Sequence, residues 1–300
     1  MARQRLRTCS NGYNYLRGSC AIRARRYALT MKSDCGAILT EWRARRRLSQ
    51  LDLALAIDVS QKHLSFVELG RAQPSRDMIL RLAVGLELPL RARNELLISA
   101  GYAPIYSERP LDLTEMRGAR AALEMILAHH EPYPAFVMDA SWNIIMINQA
   151  ARRLIANCGM DQVDLGSSAG SVLNFMQLMF SKEGLRPCIL NWPTTRASLL
   201  GRLRREASGN PGSPSSRLLT EYEEDSACDS RKELLDHERP LEPVASLELK
   251  VSGTRLKLFS TFTTFGLPQD ITLQELRIDM AFPADQSTRQ FFVDAASASA

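Results

Sequence analysis

The segment Ser49–Pro74, SQLDLALAIDVSQKHLSFVELGRAQP, constrains this chain more tightly than any other stretch. Ser49 and Ser60 each stand just before an apolar helical pattern. There a hydroxyl can accept one of the backbone N–H groups that a helix start leaves unpaired. Asp52, three residues after Ser49, favours the same first turn. The spacing predicts a short helix carrying Leu53, Ala54 and Ile57 inward and an interruption at Asp58-Val59. A second short helix follows, with Leu64 and Val67 on its inner face, and Gly70 stops it. Ala54 is small where the two helices must cross closely, and Val59 fills the turn that sets their angle. Gln61, Lys62, Ser65 and Phe66 are then left pointing outward from the start of the second helix.

The flanks continue the pattern from Gly36 to about Gly101. Ile38, Leu39 and Trp42 form an apolar face opposite Arg43, Arg45, Arg46 and Arg47. Pro74-Ser75 opens a fourth helix striped by Ile79, Leu82, Ala83 and Leu86, and Pro89 ends it. A fifth runs from about Arg91 to Ala100, and Gly101, Pro104 and Pro110 mark a linker. The expected organisation is a five-helix domain over 32–103, a linker over 104–114, a second domain over 115–292 and a tail over 293–300.

Charge is divided along the chain. Residues 1–99 hold 18 Lys and Arg against 8 Asp and Glu; residues 100–300 hold 20 against 25. A basic front end suits a polyanionic partner. Residues 1–30 contain seven arginines and no acid, a composition shared with organellar transit peptides. The favoured reading is a start at Met31, so 1–31 are set aside as a basic extension, disordered or untranslated. The six cysteines show no C-x-x-C spacing and no histidine at ligand distance, which points to reduced thiols in a cytoplasmic protein. No apolar run reaches the roughly 18–20 residues that a membrane-spanning helix needs.

A helix end presenting Gln61, Lys62, Ser65 and Phe66 can enter a major groove. Gln bonds adenine in a bidentate way, Lys reaches guanine, and Phe lies on thymine methyls. Gln50, Ser60, Arg71 and the arginines around Arg43 are the expected phosphate contacts, which add affinity with little sequence information. The alternative is a helical protein–protein interaction module without DNA binding.

The residues Ser49-Gln50, Leu53-Ala54, Val59-Ser60, Leu64, Val67-Glu68, Gly70 and Pro74-Ser75 fall in one register, and this stretch resembles the lambda-repressor-like, XRE-type helix-turn-helix family. That family usually has Gly at the turn; this chain has Asp58, which tolerates a left-handed backbone. The resemblance implies a homodimer bound to paired half-sites on double-stranded DNA.

Beyond the linker, Leu113–His130 reads as helix and Ala135–Met138 and Trp142–Ile147 as strands joined at Asp139-Ala140-Ser141. Helices are expected at 150–157, 171–180 and 195–207, a low-complexity loop at Ser208–Ser216, and strands at 246–251, 256–264 and 273–282. Three or four strands with helices packed on one side give a small antiparallel α+β domain.

The phrases VSQKHLSFVELGRAQPSRDM, EPYPAFVMD, NWP and STFTTFGLPQDITLQELRIDMAFPAD together resemble the MmyB-like regulators, and Asn148-Gln149-Ala150 resembles the start of a PAS fold. The resemblance implies a PAS-like ligand-binding domain that senses a small lipophilic molecule such as a fatty acid. Phe175, Met176, Met179 and Phe180 could line an apolar pocket or simply form core.

Nothing in the sequence asks for catalysis, a metal or a cofactor. GSSAG at 166–170 has the letters of a nucleophile elbow, but no buried strand precedes it, and the only later histidine is His237. His129-His130 ends a helix, where histidines are favourable on dipole grounds, and no third ligand accompanies them.

Overall fold

The computed structural model describes residues 35–160, 173–209, 213–224 and 246–298. The chain divides at Tyr106/Ser107 into two compact units. The basic extension 1–31 and the GSSAG segment lie outside the described residues.

The first unit contains five helices among its described residues: α1 (Cys35–Arg45), α2 (Gln50–Ala56), α3 (Gln61–Glu68), α4 (Arg76–Gly85) and α5 (Leu90–Ser99). Hydroxyls fix the starts of α2, α3 and α4, at Ser49 and Ser60 as expected and also at Ser75, while α5 starts after Pro89 with no side-chain cap. Ser49 and Asp52 form a reciprocal capping box, Ser49 Oγ accepting from Asp52 N at 3.1 Å and Asp52 Oδ2 from Ser49 N at 3.0 Å. Ser60 and Ser75 accept from His63 N and Met78 N, both at 3.2 Å. Leu39, Trp42, Leu53, Ala54, Leu64, Val67, Ile79, Leu82 and Leu86 close over one another as a single core, so each short helix is held mainly by its buried face. Asp58 takes φ +53°, the left-handed turn that the sequence required, and Gly70 ends α3 at φ +68°.

The second unit is built on a five-stranded sheet: β1 (Ala135–Met138), β2 (Ile144–Ile147), β3 (Ser246–Val251), β4 (Thr254–Thr263) and β5 (Arg277–Pro283). Its order is β2-β1-β5-β4-β3, with every neighbour antiparallel. Around it lie α6 (Arg117–His129), α7 (Gln149–Asn157), α8 (Phe175–Phe180), α9 (Trp192–Gly209), α10 (Pro214–Glu224), α11 (Ile271–Glu275) and α12 (Gln286–Ser297). This is the α+β, PAS-like class expected, with two corrections. The sheet is covered on both faces, because its strands alternate apolar residues to both sides. Ala135, Val137 and Ile278 meet Leu123 and Leu127 of α6, while Phe136, Met138, Leu256 and Leu258 meet the core that includes α7, α8 and α9. Part of the expected loop Ser208–Ser216 is helix: α9 runs to Gly209, and Pro214, whose missing N–H costs nothing in a first turn, opens α10.

Three strand starts also shift, and β4 begins at Thr254, two residues earlier than expected. Trp142 adopts φ +66° in the turn after β1, where Asp139 Oδ1 accepts from Ser141 N and Asn143 N at 2.8 and 2.9 Å, so β2 begins two residues later than expected. Before β5, Asp270 caps the short helix α11 through Thr272 N at 2.9 Å, which takes Leu273 out of the strand. The final helix continues to Ser297, past the expected boundary at 292. Within the expected linker, Ser107 already belongs to this unit: Ile271 N donates to Ser107 O at 2.8 Å. Cys35, Cys158 and Cys188 are free, half-buried thiols, and burial beside Cys188 pushes Cys158 up to about 12. Cys9, Cys20 and Cys228 lie outside the described residues.

Candidate nucleic-acid interface

Helix α3 has one face committed to the core and one free. Leu64 and Val67 are buried, while Gln61, Lys62, His63 and Phe66 are exposed and Ser65 is half-buried. Phe66 is 37% exposed, and the Lys62 ammonium lies 5.8 Å from its ring centroid. Such a cation over an aromatic face forms a composite surface that is positive at its edge and apolar at its centre. The four residues expected to read bases therefore stand on one exposed helical face. Ser60 Oγ is occupied as a cap, yet the residue itself is exposed at the helix start, where backbone N–H groups favour an anion.

The expected phosphate contacts separate into two kinds. Arg71 is exposed, its side chain without a partner among the described residues, as is that of Arg47. Arg43 and Gln50 instead turn inward onto Glu68, the last residue of α3. Arg43 Nε and Nη2 donate to the two carboxylate oxygens at 2.7 and 3.0 Å, and Gln50 Nε2 donates to Oε2 at 2.7 Å. The third arm, Nη1, donates to Leu48 O at 3.0 Å. Arg43 is thus a brace between α1 and α3, with all three guanidinium nitrogens engaged. Arg46 likewise donates to Leu86 O and Glu87 O at 2.9 and 3.0 Å, closing the C-terminus of α4. Arg45 pairs with Glu41 and lies over the Trp42 ring. The run of arginines reads as a set of phosphate contacts because sequence spacing carries no record of which distant carbonyls and carboxylates they meet.

Electrostatics agree with the bracing role. Burial would push the Glu68 carboxyl up, but hydrogen bonds from Arg43, Gln50 and Thr40 together with the Arg43 charge hold it below the usual carboxylate range. Hydrogen bonding to Glu68 in turn raises Arg43 above its ordinary value.

In the second unit, Phe175, Met176 and Met179 are buried in the main core, and Phe180 packs against Trp192 and Tyr222. His130 Nε2 lies 2.8 Å from Ala281 O, and His129 Nδ1 lies 2.8 Å from Met125 O. Among the described residues no group of three or more His, Cys, Asp or Glu is placed to hold a metal. No helix among them is long and apolar enough to cross a membrane.

A capped helix-turn-helix with an outward polar helix face, joined to a second, α+β domain with its own core, is the build of a two-domain DNA-binding regulator. Residues 39–92 match the family model described as Helix-turn-helix, and residues 119–293 match that described as MmyB-like transcription regulator ligand binding domain. The second match covers more than half of the chain, which therefore belongs to the MmyB-like transcription regulators. No curated protein matches the chain. A solved structure described as "Structure of an RNA-binding Light-Oxygen-Voltage Receptor" aligns at 11% identity over 98% of this chain and 70% of that one, with a TM-score of 0.26; a likeness of that size carries no argument.

Proposed function

We propose that this regulator binds a two-fold symmetric operator as a homodimer, with α3 in the major groove. Gln61, Lys62, Ser65 and Phe66 meet base edges, while Arg71, Arg47 and the helix start at Ser60 meet phosphates. The observation that carries this reading is the division of α3 itself. Leu64 and Val67 are buried, and the residues between and before them face solvent on a helix whose far end is clamped through Glu68. Gln50 and Arg43 act on DNA indirectly, by holding α3 at a fixed angle.

The second domain senses a small lipophilic molecule of fatty-acid type. Its ligand shifts the dimer between arrangements with different half-site spacing, and it does so only as far as it binds one arrangement better than the other. Selection from a randomised DNA library, with protein started at Met31 and with or without a lipid extract, tests both halves. A palindromic motif supports the operator reading, and a change on adding lipid supports the sensor. Failure of a well-folded sample to enrich any sequence, together with co-purification of one stoichiometric protein, would favour the interaction-module reading.

A further inference from the structure

On the sheet face away from α6, β5 places Arg277 and Asp279 side by side, two residues apart on the same side of the strand. Asp279 stands in register with Phe136 on β1 and Phe262 on β4, so a carboxyl group sits between two phenylalanine positions at the centre of the sheet. It is 5% exposed. From α9, Arg202 lays its guanidinium 3.3 Å from the Phe262 ring centroid, and that of Arg277 lies 4.7 Å from the Trp142 ring. Glu206 of α9 stands between the two arginines, 3.1 Å from Arg277 Nη2 and 3.3 Å from Arg202 Nε. Its Oε2 also accepts from the Ser215 hydroxyl at 2.6 Å, and Ser215 in turn accepts from Trp142 Nε1 at 3.2 Å.

This cluster satisfies Glu206 and leaves its other members incomplete. Arg202 Nε, Arg277 Nη1 and Asp279 Oδ1 are all buried with no hydrogen-bond partner among the described residues. Arg202 Nε is within ion-pair range of Glu206 but off the hydrogen-bond direction. Each buried orphan costs roughly 1–3 kcal/mol and more when charged, so three of them in one place call for an explanation. Both guanidiniums rest on aromatic rings, contacts that leave their N–H edges available.

We propose that Arg202, Arg277 and Asp279 anchor the polar head of the ligand, and that this head donates one hydrogen bond and accepts two. The donor meets Asp279 Oδ1, and the acceptor lone pairs meet Arg202 Nε and Arg277 Nη1. An amide, a hydroxyl or a carboxyl group that retains its proton meets this demand. A bare carboxylate does not, because it would face Asp279 with like charge and nothing between them. The proposal rests on the reading of this domain as a sensor.

The test is binding of dodecanamide and methyl dodecanoate to the full chain by calorimetry at mildly alkaline pH. The two share tail and carbonyl, and only the amide can donate. The unaltered protein is expected to bind the amide at least about tenfold more tightly, since a site built around a polar partner discriminates strongly against its loss. In Asp279→Asn the side-chain amide can itself donate to the ester carbonyl, so the ratio is expected to fall to within about twofold, with the far-ultraviolet spectrum unchanged. Equal affinity for both probes in the unaltered protein overturns the anchor. A lipid extract that raises the melting temperature of the unaltered chain and of Asp279→Leu equally, where the leucine can neither accept nor donate, overturns it too, while leaving the sensor reading intact. No response to either probe or to the extract overturns the sensor reading, and the anchor falls with it.

Discussion

Arg43 on the first helix grips Glu68 at the end of α3 through Nε and Nη2 of its fork, at 2.7 and 3.0 Å, with the Glu68 side chain only 4% exposed. A residue from a basic run that suggests DNA contact is thereby a structural clamp between α1 and α3.

Removing one side of that pair leaves the other buried and uncompensated. Glu68→Ala is expected to lower the stability of the first domain by about 3 kcal/mol, read as a reduced denaturant midpoint. Replacing both, Arg43→Met with Glu68→Leu, is expected to cost less than the single change, because no isolated charge remains. Equal losses in the single and double variants would contradict the clamp. Since the folded state holds Glu68 below its unfolded range, this contribution is present above about pH 4 and is lost as pH falls through the folded value.

The DNA face separates by type of contact. Gln61→Ala with Lys62→Ala is expected to weaken operator binding at least about tenfold while barely affecting random DNA. Arg71→Ala is expected to weaken both alike and to lower the slope of log affinity against log salt by about one. Fluorescence anisotropy over a salt series measures both. A sequence-selective loss in Arg71→Ala would reverse the assignments.

Two glycines in the first domain differ in what holds them. A Cβ at Gly36 would sit 2.1 Å from Glu68 O, because α1 approaches the end of α3 backbone to backbone. Gly36→Ala is expected to cost roughly 3 kcal/mol despite the better helix propensity of Ala. Gly70, at φ +68° with open space around it, faces only the backbone penalty, and Gly70→Ala should cost about 1 kcal/mol. Thermal melts rank the two; a stabilised Gly36→Ala would mean that α1 and α3 lie further apart.

In the second domain, burial pushes the Asp279 carboxyl up to about 6, opposed only in part by the Ser260 hydroxyl and the Arg202 charge. The unfolded carboxyl titrates near pH 4. The folded state therefore favours the proton: the contribution of this group is full below about pH 4 and is lost as pH rises through about 6. The stability difference between the unaltered protein and Asp279→Asn should shift across that window in favour of Asn at higher pH. A difference that stays flat from pH 4 to 7 would mean that Asp279 titrates at its ordinary value.

What the sequence determined by itself is the first domain: the caps at Ser49 and Ser60, the helix opening at Pro74-Ser75, the turn at Asp58, the stop at Gly70 and the outward face of α3. Each of these depends on residues a few positions apart, where hydrogen bonding and the helical period act directly. The sheet strands were readable for the same reason, to within a few residues.

The tertiary structure decided the rest. The alternation Arg277-Ile278-Asp279-Met280 is that of a strand with one solvent face, yet both faces are covered, because β5 is central and α9 lies over its polar side. The helix α10 was hidden in a Ser- and Pro-rich stretch whose Ser215 meets Trp142 across 73 positions. Arg43 read as a phosphate contact until Glu68, 25 positions away, was seen to face it. Charges and hydroxyls take their roles from partners, and when the partner is distant in the chain only packing brings the two together.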